Sequence, residues 1–189
     1  MTRLHVISAA TRPTSSGRPL AAWVSEQARA HGGFDVTSVD LAEIALPFLD
    51  EPEYASSGVY ANPHTLEWSA LVDSADAFVF VLPMYNGAFT APFKNAIDFL
   101  YKEWAGKPVA LLSYSAGPTG GAPAAEMLLP VLTRLGMLPT ERRVAVAGIN
   151  ALVGPDGFQA PEGLADELAA QLDEVAALAS ERAAEGVSA

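Results

Sequence analysis

The sequence predicts an α/β protein built on a parallel sheet with helices on both faces. Short apolar runs alternate along the chain with amphipathic segments of helical spacing, which is the pattern of strand–helix–strand units. Two of the runs, 77–82 and 108–112, contain no polar residue, as expected of strands buried on both faces. The length of 189 residues fits one compact domain, so we expect a single domain over 1–189.

The first four predicted elements are a strand at 4–8, a helix from about 20 to 31, a strand at 34–39 and a helix at 65–74. Leu20, Trp23 and Val24 recur at helical spacing in the first helix, which Gly32-Gly33 ends. The second helix carries apolar residues at the same spacing from Trp68 onward.

The remaining six are strands at 77–82, 108–112 and 143–147, and helices at 90–104, 122–135 and 163–184. In the first of these helices the buried stripe is expected to be Phe93, Ile97, Leu100 and Trp104. Pro130 lies inside the second and should kink or interrupt it. The last helix should face the core with Leu164, Leu168, Leu172 and Val175.

Five strands joined by helices leave few topologies, because parallel crossovers are right-handed. A closed barrel would need eight strand–helix units, so the open alternatives are a Rossmann-like and a flavodoxin-like strand order. In both, ligands bind beyond the carboxyl ends of the strands. The loops after the first, third and fourth strands are therefore the candidate sites.

The loop after the first strand is rich in hydroxyl groups and opens onto a helix. Its candidate binding residues are Thr11, Arg12, Thr14, Ser15, Ser16 and Gly17. Unpaired N–H groups at a helix start favour a phosphate, and an arginine would add a charge-assisted hydrogen bond. The alternative is that the hydroxyls simply cap the helix. Neither G-x-G-x-x-G nor G-x-x-x-x-G-K-[ST] occurs, which argues against a dinucleotide-type Rossmann site and a P-loop.

The loops after the third and fourth strands contain the ingredients of a slot for a flat ring. Pro83, Tyr85, Asn86 and Gly87 offer a rigid wall and a turn, although Tyr-Asn-Gly is also an ordinary turn sequence. The other loop, 113–121, is rich in glycine, which lets backbone approach a ligand closely. A parallel sheet places these loops along one edge, so together they indicate a ligand site better than any one does.

Composition excludes several function classes. The net charge is −11, which disfavours nucleic acid and anionic membranes as partners. The chain has no cysteine and no apolar run of membrane-spanning length, so we expect a soluble, cytoplasmic protein without disulfides. The three histidines share no metal-ligand spacing, and no G-x-S-x-G occurs. We therefore expect neither a metal site nor a protein nucleophile.

One extended pattern resembles a known family. Pro83-x-Tyr85-Asn86-Gly87, followed by Ala91-Pro-x-Lys94-Asn95-Ala-Ile-Asp98, is similar to the P-x-Y-N and L-K-N-x-[IL]-D motifs of the NADPH-dependent FMN reductases in the flavodoxin-like superfamily. Thr11-Arg12-Pro13 with Gly17 looks like that family's phosphate loop, and Ser115-x-Gly117-x-x-Gly120-Gly121 resembles its third flavin loop. The likeness runs from about residue 4 to about residue 146. It implies a five-stranded parallel sheet in the order 2-1-3-4-5.

The resemblance also implies a cofactor and a reaction. FMN would be held through its phosphate by Arg12 and the hydroxyls of the first loop. Its isoalloxazine ring would lie between Pro83, Met84, Tyr85 and Asn86 on one side and Ser115, Ala116 and Gly117 on the other. Hydride would pass from NAD(P)H to FMN and then to a quinone, an azo compound, free flavin or a similar small acceptor, with no catalytic protein residue.

The resemblance further implies a homodimer, or a tetramer built from it, with Lys94, Asn95 and Asp98 in a structural region near the interface. The irregular segment 48–63 would cover the flavin, join the interface or be a surface connection. The chain departs from the family at Ala9-Ala10, where relatives commonly have Gly-Ser, and this leaves the phosphate ligands open. Two alternatives remain: a flavodoxin-type electron carrier, and a flavodoxin-like interaction module without cofactor.

Overall fold

The computed structural model describes residues 1–186. The helices and the four long strands, in chain order, are β1 (Thr2–Ser8), α1 (Gly17–His31), β2 (Phe34–Asp40), α2 (Leu41–Ile44), α3 (Pro63–Asp73), β3 (Ala77–Pro83), α4 (Ala91–Asp98), β4 (Pro108–Tyr114), α5 (Ala122–Arg134) and α6 (Leu164–Gly186). Four two- or three-residue strands lie between α5 and α6: β5 (Leu138–Pro139), β6 (Val144–Val146), β7 (Val153–Gly154) and β8 (Gly157–Phe158).

The main sheet is parallel, with the order β2-β1-β3-β4-β5. This confirms the predicted flavodoxin-like order. The carboxyl ends of the central strands meet at one edge, since Ser8 pairs with Val81 and Pro83 pairs with Tyr114. The loops that follow β1, β3 and β4 therefore begin side by side.

Two apolar cores confirm the prediction of helices on both faces. Under α3, α4 and α5 the largest buried side chains are Trp68, Phe78, Phe80, Phe93, Phe99 and Trp104. Under α1 and α6 the sheet packs against Leu20, Val24, Leu164, Leu168, Leu172 and Val175. The strands β3 and β4 are buried at every position, because alternate side chains of each strand point into one core and the remaining side chains point into the other.

The helix predicted at 90–104 is too long. It ends at Asp98, and a separate 3₁₀ turn covers Lys102–Trp104. The Glu103 carboxylate accepts the backbone N–H of Tyr101 at 3.2 Å, which stabilises the turn. The break lets Trp104 fold back on α4, where its Nε1–H donates to the Ile97 carbonyl at 3.3 Å.

Of the two predicted effects of Pro130, the interruption is wrong, because α5 runs through that residue, and the kink stays a prediction. Pro130 lies on the exposed side of the helix, where solvent can hydrate the carbonyl of Glu126 that loses its usual N–H partner.

The strand predicted at 143–147 is shorter, and its position in the sheet is shared with β5. Both β5 and β6 pair with β4 in parallel, and residues 140–143 separate them. The buried Gln171 bridges the gap, since its Nε2 donates to the carbonyls of Leu111 at 3.1 Å and Arg142 at 2.8 Å.

Candidate functional site

A cleft of about 280 Å³ opens at the carboxyl edge of the sheet. Its wall comes from four places in the chain: the loop after β1, the end of β3, the end of β4 and the turn after β6. The lining residues are Arg12, Thr14, Ser15, Ser16, Pro83, Met84, Tyr85, Tyr114, Ser115, Ala116, Ile149 and Asn150. The topology thus brings together the three loops that the sequence singled out.

The first loop presents one arginine and several hydroxyls to the cleft. The backbone N–H of Ser15 donates to the Arg12 carbonyl at 3.1 Å, forming a tight turn just before α1. Within residues 1–186 the Arg12 guanidinium has no ion pair, and the hydroxyls of Thr14 and Ser16 have no protein hydrogen bond. These groups are therefore available to an anion, as the phosphate interpretation requires.

The capping alternative applies to one of the four hydroxyls. Ser15 Oγ accepts the Gly17 N–H at 3.0 Å. Ser16, the residue at the cap position of α1, makes no side-chain capping bond.

The second loop is a two-residue hairpin turn. Tyr85 and Ala88 exchange both backbone hydrogen bonds, at 2.9 and 3.1 Å. Between them Asn86 and Gly87 have φ of 52° and 84°, the left-handed conformations that Asn-Gly adopts readily. The turn itself is outside the cleft lining, and its effect is to aim Tyr85 toward the cleft beside Pro83 and Met84.

The third loop is fixed against the end of the sheet. Ser115 donates its N–H to the Val146 carbonyl at 3.2 Å and accepts the Ile149 N–H at 3.1 Å. Its hydroxyl donates to the Gly117 carbonyl at 3.2 Å, so Gly117 shapes the loop next to the cleft. Gly120 supports the loop from outside: with φ of 58°, a β-carbon there would lie 2.7 Å from the Ala145 backbone.

Tyr114 belongs to the site, although the sequence reasoning did not select it. It is the last residue of β4, is 5% exposed and places its hydroxyl 3.2 Å from Ser15 Oγ. Burial raises the pKa of Tyr114 to about 12, so the phenol is neutral at physiological pH. Side chains alternate along β4, so Tyr114 lies on the same face as Ala110 and Leu112. A hydroxyl-bearing side chain at the carboxyl end of an otherwise apolar face was the feature of the sequence that could have identified it.

Ile149 and Asn150 were also missed. They follow β6 and reach the cleft because Ile149 is hydrogen-bonded to Ser115. The sequence reasoning did not follow the loop after the fifth strand, where these residues lie.

Thr11 lies outside this cleft. It lines a neighbouring cavity of about 340 Å³ between α2 and α4, together with Leu41, Ala45, Pro92 and Ala96. Ala9 and Ala10 are fully buried, and the Ala9 carbonyl accepts the Thr90 hydroxyl at 3.1 Å. The hydroxyls that face the cleft from this loop are therefore those of residues 14–16.

The Lys94, Asn95 and Asp98 motif is structural in this chain. Lys94 pairs with Asp98 at 2.6 Å along α4. Asn95 holds the segment before residue 50, since its amide donates to the Pro47 carbonyl at 2.7 Å and accepts the Leu49 N–H at 3.0 Å.

Fold and cleft together define the class: a flavodoxin-like α/β protein, whose ligands bind beyond the carboxyl ends of the strands. The chain belongs to the NADPH-dependent FMN reductase family, whose model matches residues 2–151. The family suggested by the sequence pattern is thereby confirmed.

Named relatives agree with this assignment. An NAD(P)H-dependent FMN reductase of Schizosaccharomyces pombe is 39% identical over 137 residues, covering 71% of this chain and 68% of the relative. The NAD(P)H-dependent FMN reductase LOT6 of Saccharomyces cerevisiae is 34% identical, covering 72% of this chain and 71% of its own. An FMN-dependent NADPH-azoreductase of Staphylococcus saprophyticus is 35% identical over 57% of this chain and 58% of its own.

Solved structures share the fold. The flavoenzyme NAD(P)H:(acceptor) oxidoreductase FerB of Paracoccus denitrificans superposes with a TM-score of 0.76 at 21% identity, covering 96% of this chain and 99% of FerB. An oxidoreductase of Corynebacterium diphtheriae gives a TM-score of 0.71 at 22% identity, covering 96% and 98%. Along the described part of the chain, every helix is too short or too polar to cross a membrane.

Proposed function

We propose that this chain is an FMN-dependent NAD(P)H oxidoreductase, carried by one domain over residues 1–189. The observation that carries the proposal is the make-up of the cleft. At one end lie the hydroxyls before α1 and Arg12, which has no ion pair within residues 1–186, and at the other end lies the wall of Pro83, Met84 and Tyr85. A phosphate group and an attached flat ring need these two environments side by side.

The residues divide into two sets by what they would contact. Arg12, Thr14, Ser15 and Ser16 would hold the FMN phosphate with charge-assisted hydrogen bonds and the partial positive charge of the α1 start. Gly17 begins α1 and donates its N–H to Ser15 Oγ, so it would support the phosphate loop from behind.

The second set would hold the ring. Pro83, Met84 and Tyr85 form one wall, which the Asn86-Gly87 turn sets in place. Ser115 and Ala116 form the opposite border, and the backbone of Gly117 and Gly120 supports it. Ile149 and Asn150 would close the side next to β6.

Bound FMN would supply the redox chemistry, accepting hydride from NAD(P)H and passing the electrons to a quinone, an azo compound, free flavin or a similar acceptor. The titratable residues of the cleft lining are Arg12, Tyr85 and Tyr114, a set without a carboxylate or histidine to serve as acid or base. The chain's own task is to bind, orient and expose one ring face.

The proposal includes a homodimer and a cytoplasmic location. Phe48 and Tyr54 are each 86% exposed on a segment that is held in place. Glu51 accepts the N–H groups of Ala61 and Asn62 at 2.7 and 3.0 Å. Apolar rings on an ordered surface segment beside α4 favour a subunit contact, and NAD(P)H supply favours the cytoplasm.

Purification followed by an absorbance spectrum and steady-state assays tests the function. We expect a yellow protein that oxidises NADPH or NADH when given quinones, azo dyes or free FMN. A flavodoxin-type carrier would be yellow without useful NAD(P)H oxidation. A colourless protein that shows no thermal shift with FMN would support the interaction module instead.

A further inference from the structure

The pair of hydroxyls at Ser15 and Tyr114 has one proton more than its mutual hydrogen bond uses. Their oxygens are 3.2 Å apart, and either can donate to the other. Two hydroxyl groups carry two protons, and the bond between them consumes one. Along residues 1–186 neither hydroxyl has another acceptor, so the remaining proton is available to the cleft that both residues line.

The direction of the bond follows from the groups around it. Ser15 Oγ already accepts the Gly17 N–H at 3.0 Å. A phenol is a stronger donor and a weaker acceptor than an aliphatic alcohol, so Tyr114 donates to the second lone pair of Ser15. Both Ser15 lone pairs are then occupied, so its own proton is the one left to donate to a ligand in the cleft that Ser15 lines.

We propose that Tyr114 is a positioning residue for phosphate recognition, which orients the Ser15 hydroxyl so that it donates to the phosphate monoester of the bound flavin nucleotide. This rests on the proposed function, and it adds a residue outside the phosphate loop. Donation by Tyr114 also polarises the Ser15 O–H, because hydrogen bonds in a chain strengthen one another.

The position of Tyr114 is fixed on three sides. Its backbone is in the sheet, opposite Pro83 on β3 and Val146 on β6. Its hydroxyl packs against the α-carbon of Gly17, in the space where a β-carbon on that residue would collide with it. The Gly17 N–H holds Ser15 Oγ in place, and a rigid donor at Tyr114 then fixes the direction in which the Ser15 hydroxyl proton points.

A comparison of FMN with riboflavin isolates this effect, since riboflavin has the same ring without the phosphate. The dissociation constants of both flavins are measured by fluorescence titration of the full chain freed of flavin. For Tyr114→Phe, which keeps the ring and its packing, we expect FMN binding to weaken about three- to tenfold, with riboflavin binding unchanged. Tyr60→Phe is the matched control, because Tyr60 also loses a hydroxyl bond, to Glu103 at 2.8 Å, away from the cleft.

Ser15→Ala tests that Tyr114 acts through Ser15. We expect Ser15→Ala to weaken FMN binding at least as much as Tyr114→Phe, and the double variant to be no weaker than Ser15→Ala alone. Losses that add in full would overturn the proposal, as would equal losses of FMN and riboflavin in Tyr114→Phe.

Measurements on the wild type distinguish a failure of the proposed phosphate site from a failure of the proposed role of Tyr114 alone. If it binds FMN and riboflavin equally, or binds neither, the phosphate site of the proposed function fails and the role of Tyr114 fails with it. If the wild type prefers FMN and Tyr114→Phe keeps that preference in full, only the role of Tyr114 is overturned.

Discussion

The Tyr114 hydroxyl lies in the space that a β-carbon on Gly17 would occupy. This contact joins the end of β4 to the start of α1 and makes glycine a steric requirement at position 17, whose backbone is not in the left-handed region. The candidate phosphate loop is therefore shaped by β4, the strand that leads into the Ser115–Ala116 border of the cleft.

Gly17→Ala should destabilise the protein and weaken FMN binding. Overpacking of this kind typically costs about 1–3 kcal/mol in unfolding free energy, measured by denaturant titration. Tyr114→Phe should recover only part of that loss, because it removes the nearest colliding atom but keeps the ring carbon Cζ, which a β-carbon would meet at 2.9 Å. Gly154→Ala is the control, since nothing lies within 4 Å of a β-carbon there; an equal loss in both variants would contradict the steric account.

Arg12→Ala should weaken FMN binding by about 1.5–3 kcal/mol, the usual contribution of a hydrogen bond to a charged group. Riboflavin binding should not change. In the wild type, the difference in affinity between FMN and riboflavin should shrink at high salt. Arg18→Ala is the matched control, because Arg18 is engaged by Asp40 at 2.6 Å. Equal effects of the two substitutions on FMN affinity would argue against Arg12 as the phosphate partner.

Phe48→Asp should shift a dimer toward monomer in size-exclusion chromatography with light scattering. The side chain is 86% exposed, so the unfolding free energy of the monomer should change little. Leu138→Asp places the same charge at β5, on the far edge of the sheet, and should leave the assembly unchanged. A Phe48→Asp variant with the wild-type mass in solution would place the interface elsewhere.

Asp76 should make stability fall in acid. Its hydrogen bonds with Arg3, including 2.6 Å from Nη2 to Oδ1, lower its pKa from 3.8 to about 2. A lowered carboxyl pKa means that the folded state binds fewer protons, so the contribution is full above pH 3.8 and is lost as pH falls toward 2. Because both groups are partly exposed, we expect less than about 1 kcal/mol.

Unfolding curves of Asp76→Asn at several pH values check this. The variant should lose part of the decline between pH 3.8 and 2 that wild type shows. Asp156→Asn, on an exposed turn, should follow the wild type. An unchanged acid limb in Asp76→Asn would contradict the assignment.

The sheet and most of the cleft could be predicted because they depend on local patterns. Uninterrupted apolar runs identified β3 and β4, and the strand order then brought Arg12, Tyr85 and Ser115 to one edge. Tyr114 could not be selected as a site residue from the sequence, because its role comes from a contact with Ser15, 99 positions away in the chain. The side to which Thr11 turns likewise depends on the packing of α2 against α4.

The errors in the helices have the same origin. Spacing alone extended α4 to Trp104, whereas the Glu103 carboxylate stabilises a separate turn through the Tyr101 N–H. That carboxylate is itself held by the hydroxyls of Tyr60 and Ser69, 43 and 34 positions away in the chain. Pro130 was expected to kink or interrupt α5, but the helix continues because its exposed position lets solvent satisfy the carbonyl that it leaves unpaired. In each case tertiary surroundings decide an outcome that local propensity leaves open.

The most direct test of the proposed function is anaerobic rapid mixing of the FMN-loaded protein with NADPH or NADH. The visible flavin absorbance should bleach at a rate that matches or exceeds steady-state turnover, and it should return when a quinone is added. Flavin absorbance that persists with both nucleotides, in protein shown to hold FMN, would contradict the NAD(P)H oxidoreductase assignment.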